Sequence, residues 1–324
     1  MTSLDTIAAV LVNKNRFLLM THKDPDTDGI GSMLALGKSL SDAGKETTLL
    51  SQEPIPSPLN FLKGADRVVN RVAVDRLFDA AVVLDCAEKE RLGDAASHLK
   101  DHHILINIDH HETNDHFGTL NLVEPESSST GELVFRLIQA ANLPLGPDVA
   151  GNLFAAIQGD TGSFRYANTT ATALRMAADL VEKGADPWDI SRKVMDNYSL
   201  PRLRLLKMAL GTLQFRHQGD IAILTLTRNM FQEAKAQEVD SERFVDYPRF
   251  VRGVELGVLI RETGEDEYKF SLRSNNRLNA ARLASRFGGG GHARAAGFRY
   301  HGPVTIALND FLREAERFLD GTCD

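Results

Sequence analysis

The sequence is poor in cysteine, in tryptophan and in long apolar runs. Its 324 residues contain two cysteines, Cys86 and Cys323, and one tryptophan. Two cysteines so far apart in sequence exclude a disulfide framework or a zinc knuckle, so we interpret both as free thiols. No apolar stretch approaches membrane-spanning length, and no basic segment precedes the first apolar run at residues 7–12. We therefore expect a cytoplasmic protein with no membrane partner.

The sequence also has fewer basic residues than acidic ones. There are 37 Lys and Arg against 44 Asp and Glu, which gives a formal net charge of -7. A protein that binds long nucleic acid needs an excess of Lys and Arg on its binding face, so no long nucleic acid is expected as a partner. Small anionic ligands at a local site remain open. The chain length favours two domains, each with its own core.

The sequence is organised around residues 21–32. The apolar residues 16–20 predict a buried strand, and a helix is predicted over 29–43, ending at Gly44. One imidazole and three carboxylates crowd the turn between them. They belong to His22, Asp24, Asp26 and Asp28. Held this close, the carboxylates repel one another unless a cation lies among them.

Two other interpretations of this turn are open. The spacing of Asp24, Asp26, Asp28 and Gly29 fits the start of a calcium loop, but Ala35 occupies the place of the final glutamate and a strand precedes the loop. The imidazole instead favours a transition metal such as Mn²⁺ or Zn²⁺. The second interpretation is a solvated acidic turn.

Two further predicted strands end in similar residues. Residues 80–84 lead into Asp85, and residues 104–108 lead into Asp109-His110-His111. The strand–helix–strand pattern predicts a parallel sheet, in which ligands bind outside the carboxyl ends of the strands. We therefore expect these side chains at one edge of the sheet. A second triplet, Asp101-His102-His103, precedes its strand, so we assign it to solvent at the opposite edge.

A predicted helix over 147–158 runs into Asp160-Thr161-Gly162-Ser163-Phe164-Arg165-Tyr166. Asp160 suits a metal ligand, Arg165 a phosphate clamp and Tyr166 a base-stacking ring. Taken alone, the segment is equally typical of an ordinary helix cap and turn.

The C-terminal part carries a different motif. Four glycines, 288–291, open the backbone to close approach by an anion, and Arg273 and His292 can add charge-assisted bonds. Six arginines and no Asp or Glu lie between Lys269 and Asn309. The alternative is a flexible glycine linker. We expect domains at 1–190 and 216–324, joined by a helical connector at 191–215.

Together these motifs resemble the DHH phosphoesterase superfamily, in particular the branch of nanoRNases that also act as phosphatases of 3′-phosphoadenosine 5′-phosphate (pAp). The resemblance covers nearly the whole chain. It implies an α/β fold: a parallel-sheet DHH domain with helices on both faces, a helical connector and a smaller α/β C-terminal domain that binds substrate.

The resemblance also implies a site with two Mn²⁺ ions at the cleft between the domains. His22 and Asp26 would bind one ion, Asp28, His110 and Asp160 the other, and Asp85 would bridge both. Asp85, His110 and His111 would be catalytic, with His111 touching the scissile phosphate, and Asp24 and Asp109 would support the ligands. The implied substrate contacts are Arg165, Tyr166, Arg273, Ser274, Gly289, Gly290, Gly291 and His292.

The implied activity is hydrolysis of short oligoribonucleotides and pAp to nucleoside 5′-monophosphates by a hydroxide that bridges the two metals. The partners would be short RNA or small adenine nucleotides, and a homodimer is left open. One alternative is a phosphodiesterase of cyclic di-AMP or its linear product pApA. A pyrophosphatase of the superfamily would lack a segment like residues 288–297, so the presence of this segment counts against that alternative. A RecJ-like exonuclease would be expected to carry additional nucleic-acid-binding domains, for which 324 residues leave little room. From another class, the chain could be a catalytically inactive nucleotide-sensing module.

Overall fold

A computed structural model describes residues 4–73, 77–99, 104–195 and 198–321. The chain divides into two compact units, Met1–Asn197 and Tyr198–Asp324. The connector predicted at residues 191–215 spans this division. The triplet Asp101-His102-His103 and Cys323 lie outside the described residues.

The first unit alternates strands and helices. In chain order its elements are α1 (Leu4–Asn13), β1 (Arg16–Thr21), α2 (Thr27–Asp42), β2 (Glu46–Leu50), β3 (Ala80–Leu84), β4 (Leu105–Asp109), β5 (Leu120–Val123), α3 (Thr130–Ala140), α4 (Pro147–Asp160), α5 (Ala171–Glu182) and α6 (Pro187–Val194). Short 3-10 turns occur at Ser57–Leu59, Ala65–Arg67 and within Lys89–Leu99. The predicted strand–turn–helix around residues 21–32 is therefore confirmed.

Among the described residues of this unit, five strands form one parallel sheet in the order β2-β1-β3-β4-β5. Strands β3 and β4 are buried along their whole length, as is β1 after Arg16, which explains their nearly uninterrupted apolar sequences. The chain order reverses direction between β1 and β3. This reversal creates a switch point, where the loops after β1 and β3 diverge and leave room for a ligand.

The two faces of this sheet are covered differently. Side chains from α1 to α6 pack with Phe17, Leu19 and Val82 in one core. On the opposite face, Leu18 and Met20 pack against the 3-10 turns of Lys89–Leu99. Gly93 has a φ of 57° and interrupts that segment, so no regular α-helix forms there. The α/β fold class is confirmed, with 3-10 turns rather than α-helices on the second face.

The second unit contains α7 (Leu200–Leu210), β6 (Gln214–Arg216), β7 (Ile221–Leu226), α8 (Arg228–Ala234), α9 (Asp246–Arg249), β8 (Leu256–Gly264), β9 (Glu267–Ser274), α10 (Ala280–Ser285), β10 (Gly290–His292), β11 (Ala295–His301) and α11 (Val304–Leu319). Its described strands form a mixed sheet in the order β10-β11-β9-β8-β7-β6. Helices α10 and α11 pack on one face, and α7 and α8 pack on the other.

An aromatic stack fills the core between this sheet and α11. Phe270 and Phe298 lie on neighbouring strands with ring centroids 4.5 Å apart, and Phe311 of α11 packs against both. Stacked aromatic rings bury large apolar areas, so they anchor the helix to the sheet. Within the part of the chain that the structure describes, no helix is both long enough and apolar enough to cross a membrane.

Candidate metal centre

Acids and imidazoles from several segments of the first unit meet at the carboxyl edge of its sheet. Among the described residues, three groups have ligand atoms within 4.8 Å of one another. They are His22 with Asp26 and Asp85, Asp28 with His110 and Asp160, and Asp85 with His110 and His111. Every metal ligand predicted from the sequence lies in at least one group, and Asp85 and His110 each lie in two.

The spacing between these atoms suits a shared cation. His110 Nε2 lies 3.8 Å from Asp28 Oδ2, 3.7 Å from Asp85 Oδ1 and 3.7 Å from Asp160 Oδ2. These distances are too long for hydrogen bonds. Atoms that each bind one ion at about 2.0–2.2 Å lie about 3–4 Å apart, so the side chains surround a space that a divalent ion fits. Mixed imidazole and carboxylate ligands suit transition metals such as Mn²⁺ or Zn²⁺.

Asp85 has an unusual backbone. It follows β3 directly, is 2% exposed and has a φ of 57°, a left-handed conformation that is uncommon outside glycine. Its Oδ1 accepts a hydrogen bond of 3.1 Å from Thr130 Oγ1, and its Oδ2 lies 3.6 Å from His22 Nε2. The two oxygens therefore face different groups of ligands.

Gly29 makes room for this arrangement. A Cβ atom at residue 29 would lie 2.4 Å from Thr21 Oγ1 and 3.3 Å from Asp85 Oδ2. Glycine is thus required where α2 begins beside the ends of β1 and β3.

Two helix N-termini fix the carboxylates of the first turn. Asp26 is the N-cap of α2, and its Oδ1 accepts hydrogen bonds from the amides of Asp28 and Gly29. Asp28 accepts bonds of 2.7 and 2.9 Å from the amides of Thr130 and Gly131, at the N-terminus of α3. These hydrogen bonds and the positive end of each helix hold both acids in place, but desolvation and the charge of Asp85 still raise the pKa of each.

Backbone carbonyls orient the two imidazoles that point at the acids. His22 Nδ1 lies 2.7 Å from the carbonyl oxygen of Lys23, and His110 Nδ1 lies 3.3 Å from that of Ser127. A carbonyl can only accept a hydrogen bond, so we assign the proton of His110 to Nδ1, which leaves its Nε2 as the ligand atom. His22 Nδ1 also lies 3.0 Å from Arg91 Nη2, which can only donate, so its two neighbours favour opposite tautomers; its Nε2 is the nitrogen that faces Asp85.

Asp109 orients His111 from beneath. It is fully buried, and its Oδ1 lies 2.7 Å from His111 Nδ1. Its other oxygen accepts a bond of 2.6 Å from Asn114 Nδ2. Asn114 also donates to Asn107 Oδ1 at 2.9 Å. The carboxylate is thereby locked by an amide network that holds the imidazole ring in one orientation.

The electrostatics of the centre show how crowded the negative charges are. Desolvation, followed by the charges of Asp85 and Asp160, raises the pKa of Asp28 well above its usual value. Desolvation also raises the pKa of Asp160 to about 6, with His110 opposing and Asp85 adding to the effect. Burial and like charges both disfavour ionisation, and a cation bound among these carboxylates would relieve their repulsion.

A neighbouring carboxylate raises the pKa of His111, and the surrounding histidines lower the pKa of Asp85. Burial alone would lower the pKa of His111, but the hydrogen bond and charge of Asp109 outweigh it and raise the pKa to about 9. Burial alone would likewise raise the pKa of Asp85, but His22, His110 and His111 lower it to about 2. Asp85 therefore ionises more readily than Asp28 and Asp160.

The segment after Asp160 is strained. Gly162, Ser163 and Phe164 have φ values of 57°, 59° and 60°, and such left-handed residues cluster at functional sites. Asn168 Nδ2 donates to Asp160 Oδ2 at 3.1 Å. Arg165 is exposed, and its Nε donates to the carbonyl of Gly162.

Tyr166 lies against the backbone of the same turn. A Cβ atom on Gly162 would be 2.4 Å from Tyr166 Cζ, so the backbone covers one face of the ring. The predicted stacking of a base on Tyr166 is thus limited to the other face.

Asp24 belongs to none of the three groups of ligands. Its side chain is exposed, and its amide donates a hydrogen bond to Glu53 Oε2.

The substrate residues predicted in the second unit lie on β9, β10 and the segments beside them. Ser274 is 3% exposed, and its hydroxyl donates to the carbonyl of Ala293, which ties it into the local structure. The glycine run is partly a strand: residues 290–292 form β10, which pairs antiparallel with β11. A Cβ atom added at Gly289 would lie 2.2 Å from the carbonyl oxygen of Gly297. One added at Gly291 would lie 2.5 Å from the carbonyl oxygen of Ala295. These two glycines therefore also serve close strand packing.

Several residues of the centre were not predicted from the sequence. They are Arg91, Asn114, Thr130 and Asn168, and each contacts a predicted ligand or its orienting partner. One signal was available for Thr130, because Ser129 and Glu132 have the spacing of a helix N-cap and a helix N-terminus attracts carboxylates. The others make contacts that no local pattern indicates.

Comparison with known proteins agrees with this geometry. A family model described as "DHH family, N-terminal domain" matches residues 16–157, and one described as "DHHA1 domain" matches residues 220–321. The bifunctional oligoribonuclease and PAP phosphatase NrnA of Thermus thermophilus is 34% identical over 93% of this chain and 87% of its own length. The cyclic-di-AMP phosphodiesterase GdpP of Bacillus subtilis is 25% identical over 96% of this chain and 49% of its own length.

A solved structure shows the same fold. The crystal structure of an exopolyphosphatase-related protein from Bacteroides fragilis aligns with a TM-score of 0.88 and 28% identity, covering 97% of this chain and 96% of that one. With the family matches on both units and a relative at 34% identity along nearly its full length, this chain belongs to the DHH family, whose N-terminal DHH domain is here followed by a DHHA1 domain.

Proposed function

We propose that this chain is a Mn²⁺-dependent phosphoesterase that hydrolyses short oligoribonucleotides and pAp to nucleoside 5′-monophosphates. The observation that carries the proposal is the position of Asp85, which belongs both to the group with His22 and Asp26 and to a group that contains His110. A carboxylate shared in this way is the arrangement expected for two neighbouring metal ions.

The proposed ligand sets follow the groups. His22 and Asp26 would hold one ion, Asp28, His110 and Asp160 the other, and Asp85 both. When bound, a pair of divalent ions supplies an activated water and neutralises the charge that develops on the phosphate oxygens.

The remaining residues position substrate and protons. His111, whose pKa is raised to about 9 and whose ring is fixed by Asp109, is suited to donate a hydrogen bond to an oxygen of the scissile phosphate. Arg165, Arg273, His292 and the glycine run are proposed to bind the nucleotide and its phosphates. No side chain is needed as a nucleophile in this scheme.

The names of the relatives support the choice of substrate. NrnA of Thermus thermophilus is named for oligoribonuclease and PAP phosphatase activity and matches nearly end to end. The GdpP likeness keeps cyclic di-AMP as a second candidate, although this chain spans only 49% of that protein.

The test is a ranking of substrates with purified protein in Mn²⁺, using pAp, pApA, cyclic di-AMP and pyrophosphate. We expect kcat/KM to be highest for pApA and pAp, and we expect EDTA to abolish turnover. Faster hydrolysis of cyclic di-AMP would select the second candidate. Tight nucleotide binding without turnover in any metal would instead indicate a sensing module.

A further inference from the structure

Thr21, the last residue of β1, carries a buried hydroxyl beside the candidate metal centre. Thr21 is 2% exposed, and its Oγ1 has no hydrogen-bond partner within the part of the chain that the structure describes. A buried hydroxyl without a partner destabilises a fold, because its hydrogen bonds to water are lost and not replaced. The presence of threonine at this position therefore calls for an explanation.

The packing of β1 does not require a polar residue at position 21. Side chains on a strand alternate between its two faces, so Phe17, Leu19 and Thr21 lie on the same face. Phe17 and Leu19 are fully buried in the core on that face. Valine is branched at Cβ like threonine, and it would continue this row without burying a polar atom. Packing alone therefore does not account for the hydroxyl.

Two other polar atoms of the metal centre lie near the hydroxyl. A Cβ atom added at Gly29 would lie 2.4 Å from Thr21 Oγ1. The same atom would lie 3.3 Å from Asp85 Oδ2 and 3.4 Å from His22 Nε2. Thr21 also pairs with Leu84 in the sheet, and Asp85 follows Leu84 directly. The three polar atoms therefore surround one point at the start of α2, where glycine places no side chain between them.

Of these two neighbours, Asp85 is the acceptor that suits the hydroxyl. His22 Nε2 faces Asp85 and is the nitrogen suited to bind the proposed ion, which uses its lone pair. A carboxylate oxygen has two lone pairs, so Asp85 Oδ2 can contact a cation and still accept a hydrogen bond. The other oxygen of Asp85 already accepts a bond of 3.1 Å from Thr130 Oγ1.

We propose that Thr21 is a positioning residue for Asp85, and that its hydroxyl donates a hydrogen bond to Asp85 Oδ2 when the carboxylate binds the metal ions. This inference rests on the proposed function. Thr130 holds one oxygen of the shared carboxylate, and Thr21 holds the other. This charge-assisted bond restricts rotation of the carboxylate and keeps each oxygen facing its own group of ligands.

The test measures the Mn²⁺ affinity of the full-length protein by calorimetric titration, after EDTA has removed bound metal. Thr21→Val should raise the dissociation constant for Mn²⁺ roughly tenfold, the effect of losing a hydrogen bond to a charged group. Thr21→Ser keeps a hydroxyl and should restore most of the affinity. KM for pApA in saturating Mn²⁺ should not change, because the proposal gives Thr21 no contact with the substrate.

Thr48→Val is the matched control. Thr48 lies on β2 and is 7% exposed, and its Oγ1 likewise has no hydrogen-bond partner among the described residues. None of the three groups of ligands found in the described chain includes a residue of β2. The variant removes a buried hydroxyl of the same kind elsewhere in the same sheet, so Mn²⁺ affinity should stay at the wild-type value. A loss of affinity equal to that of Thr21→Val would overturn the proposal.

Urea unfolding separates this role from a structural one. Thr21→Val breaks no hydrogen bond of the described structure, so in EDTA it should be at least as stable as wild type. It should gain less stability than wild type when Mn²⁺ is added, because it binds the ion more weakly. A variant destabilised equally with and without Mn²⁺ would overturn the proposal. If Thr21→Val does not fold, Thr21→Ala and Thr21→Ser provide the same comparison, since they differ only in the hydroxyl.

Other outcomes separate this inference from the proposed function. Wild-type Mn²⁺ affinity in Thr21→Val would overturn the inference and leave the phosphoesterase intact. If the wild-type protein binds Mn²⁺ but hydrolyses none of the substrates, the proposed function fails and the titrations still decide the inference. If the wild-type protein binds no Mn²⁺, both fail.

Discussion

The candidate residues of the two units differ in charge and in burial. In the first unit they are mostly acids and imidazoles around a buried centre, where Asp28 and Asp85 are each 2% exposed, although Asp26 is exposed. In the second unit they are cations and glycines at the surface, where Arg273 is 34% exposed and His292 is exposed. A buried acidic centre requires a cation before it is electrostatically complete, whereas an exposed basic surface is stable in water without its anion.

The two regions also differ in how firmly the side chains are held. Asp28 and Asp109 each accept at least three hydrogen bonds, largely from backbone amides and an asparagine. Arg273 is partly exposed; it donates a hydrogen bond of 3.1 Å to the carbonyl of Leu272 and lies 3.7 Å from Asp246. The proposed function accordingly gives the chemical step to the acidic centre and substrate recognition to the basic surface.

The largest effect should come from Asp85→Asn. Asparagine accepts the left-handed backbone at φ 57°, so the fold should persist, but the shared negative charge is lost. Losing the electrostatic contribution of a metal pair, several kcal/mol, should lower kcat for pApA by about a thousandfold. Steady-state kinetics in Mn²⁺ measure the rate, and circular dichroism checks the fold. A folded variant with the wild-type kcat would show that the charge of Asp85 is not needed for the chemical step, and the proposed difference in role between the two regions would fail.

The next effect concerns the metal-free protein. The pKa of Asp160 is raised to about 6, so its protonated form stabilises the folded state below about pH 4, and this contribution is lost as pH rises through 6. The loss is at most about 3 kcal/mol for this shift. Urea unfolding in EDTA should show wild type losing stability from pH 4 to pH 6.5 relative to Asp160→Asn, which lacks the titrating group.

Saturating Mn²⁺ should reverse that trend, because the ion binds only deprotonated carboxylates and so stabilises the folded protein more as pH rises. A metal-free wild type whose stability relative to Asp160→Asn rises over the same range would contradict the crowding of charges at this centre.

A smaller effect is expected from Asn114→Ala. This variant removes the bond to Asp109 and leaves every proposed ligand in place. Loss of such an orienting partner typically weakens metal affinity or activity by 10- to 100-fold. Mn²⁺ titration and kcat measure the two quantities. If both stay at wild-type values, the acidic centre is less dependent on its support than the hydrogen bonds imply.

The smallest effect should come from Arg273→Lys in the second unit. Lysine keeps the charge but loses the planar fork that matches a phosphate, so KM for pApA should rise about tenfold with kcat nearly unchanged. Asp85→Asn is expected to lower kcat, whereas Arg273→Lys is expected to raise KM. A fall in kcat at constant KM would show that the basic surface takes part in the chemical step.

The position of the acidic centre was predictable from the sequence because it depends on local patterns. Apolar runs predicted β1 and β3, and a parallel sheet brings the residues after such strands to one edge. Knowing where these strands end was enough to predict that His22, Asp26 and Asp85 lie at the same edge of the sheet. The DHH resemblance and the α/β fold class are likewise confirmed.

The contacts that hold the centre were not predictable in the same way. Thr130 donates to Asp28 from 102 positions along the chain, and no local signal specifies which helix N-terminus will meet which acid. The glycine run, predicted as an open anion loop, contains β10, which pairs antiparallel with the neighbouring strand β11. Helix α10 begins at Ala280, because the Glu255 carboxylate accepts hydrogen bonds from the amides of residues 276–278.

The left-handed backbone of Asp85 limits which residues can replace it. Glutamate, the usual replacement for aspartate, is disfavoured in that conformation and would move its carboxylate a methylene further into the space between the ligands. Glycine and asparagine fit the backbone but lack a charge. If Asp85 holds both metal ions as proposed, none of these three replacements keeps both its backbone conformation and its charge, so each of them is expected to abolish the activity.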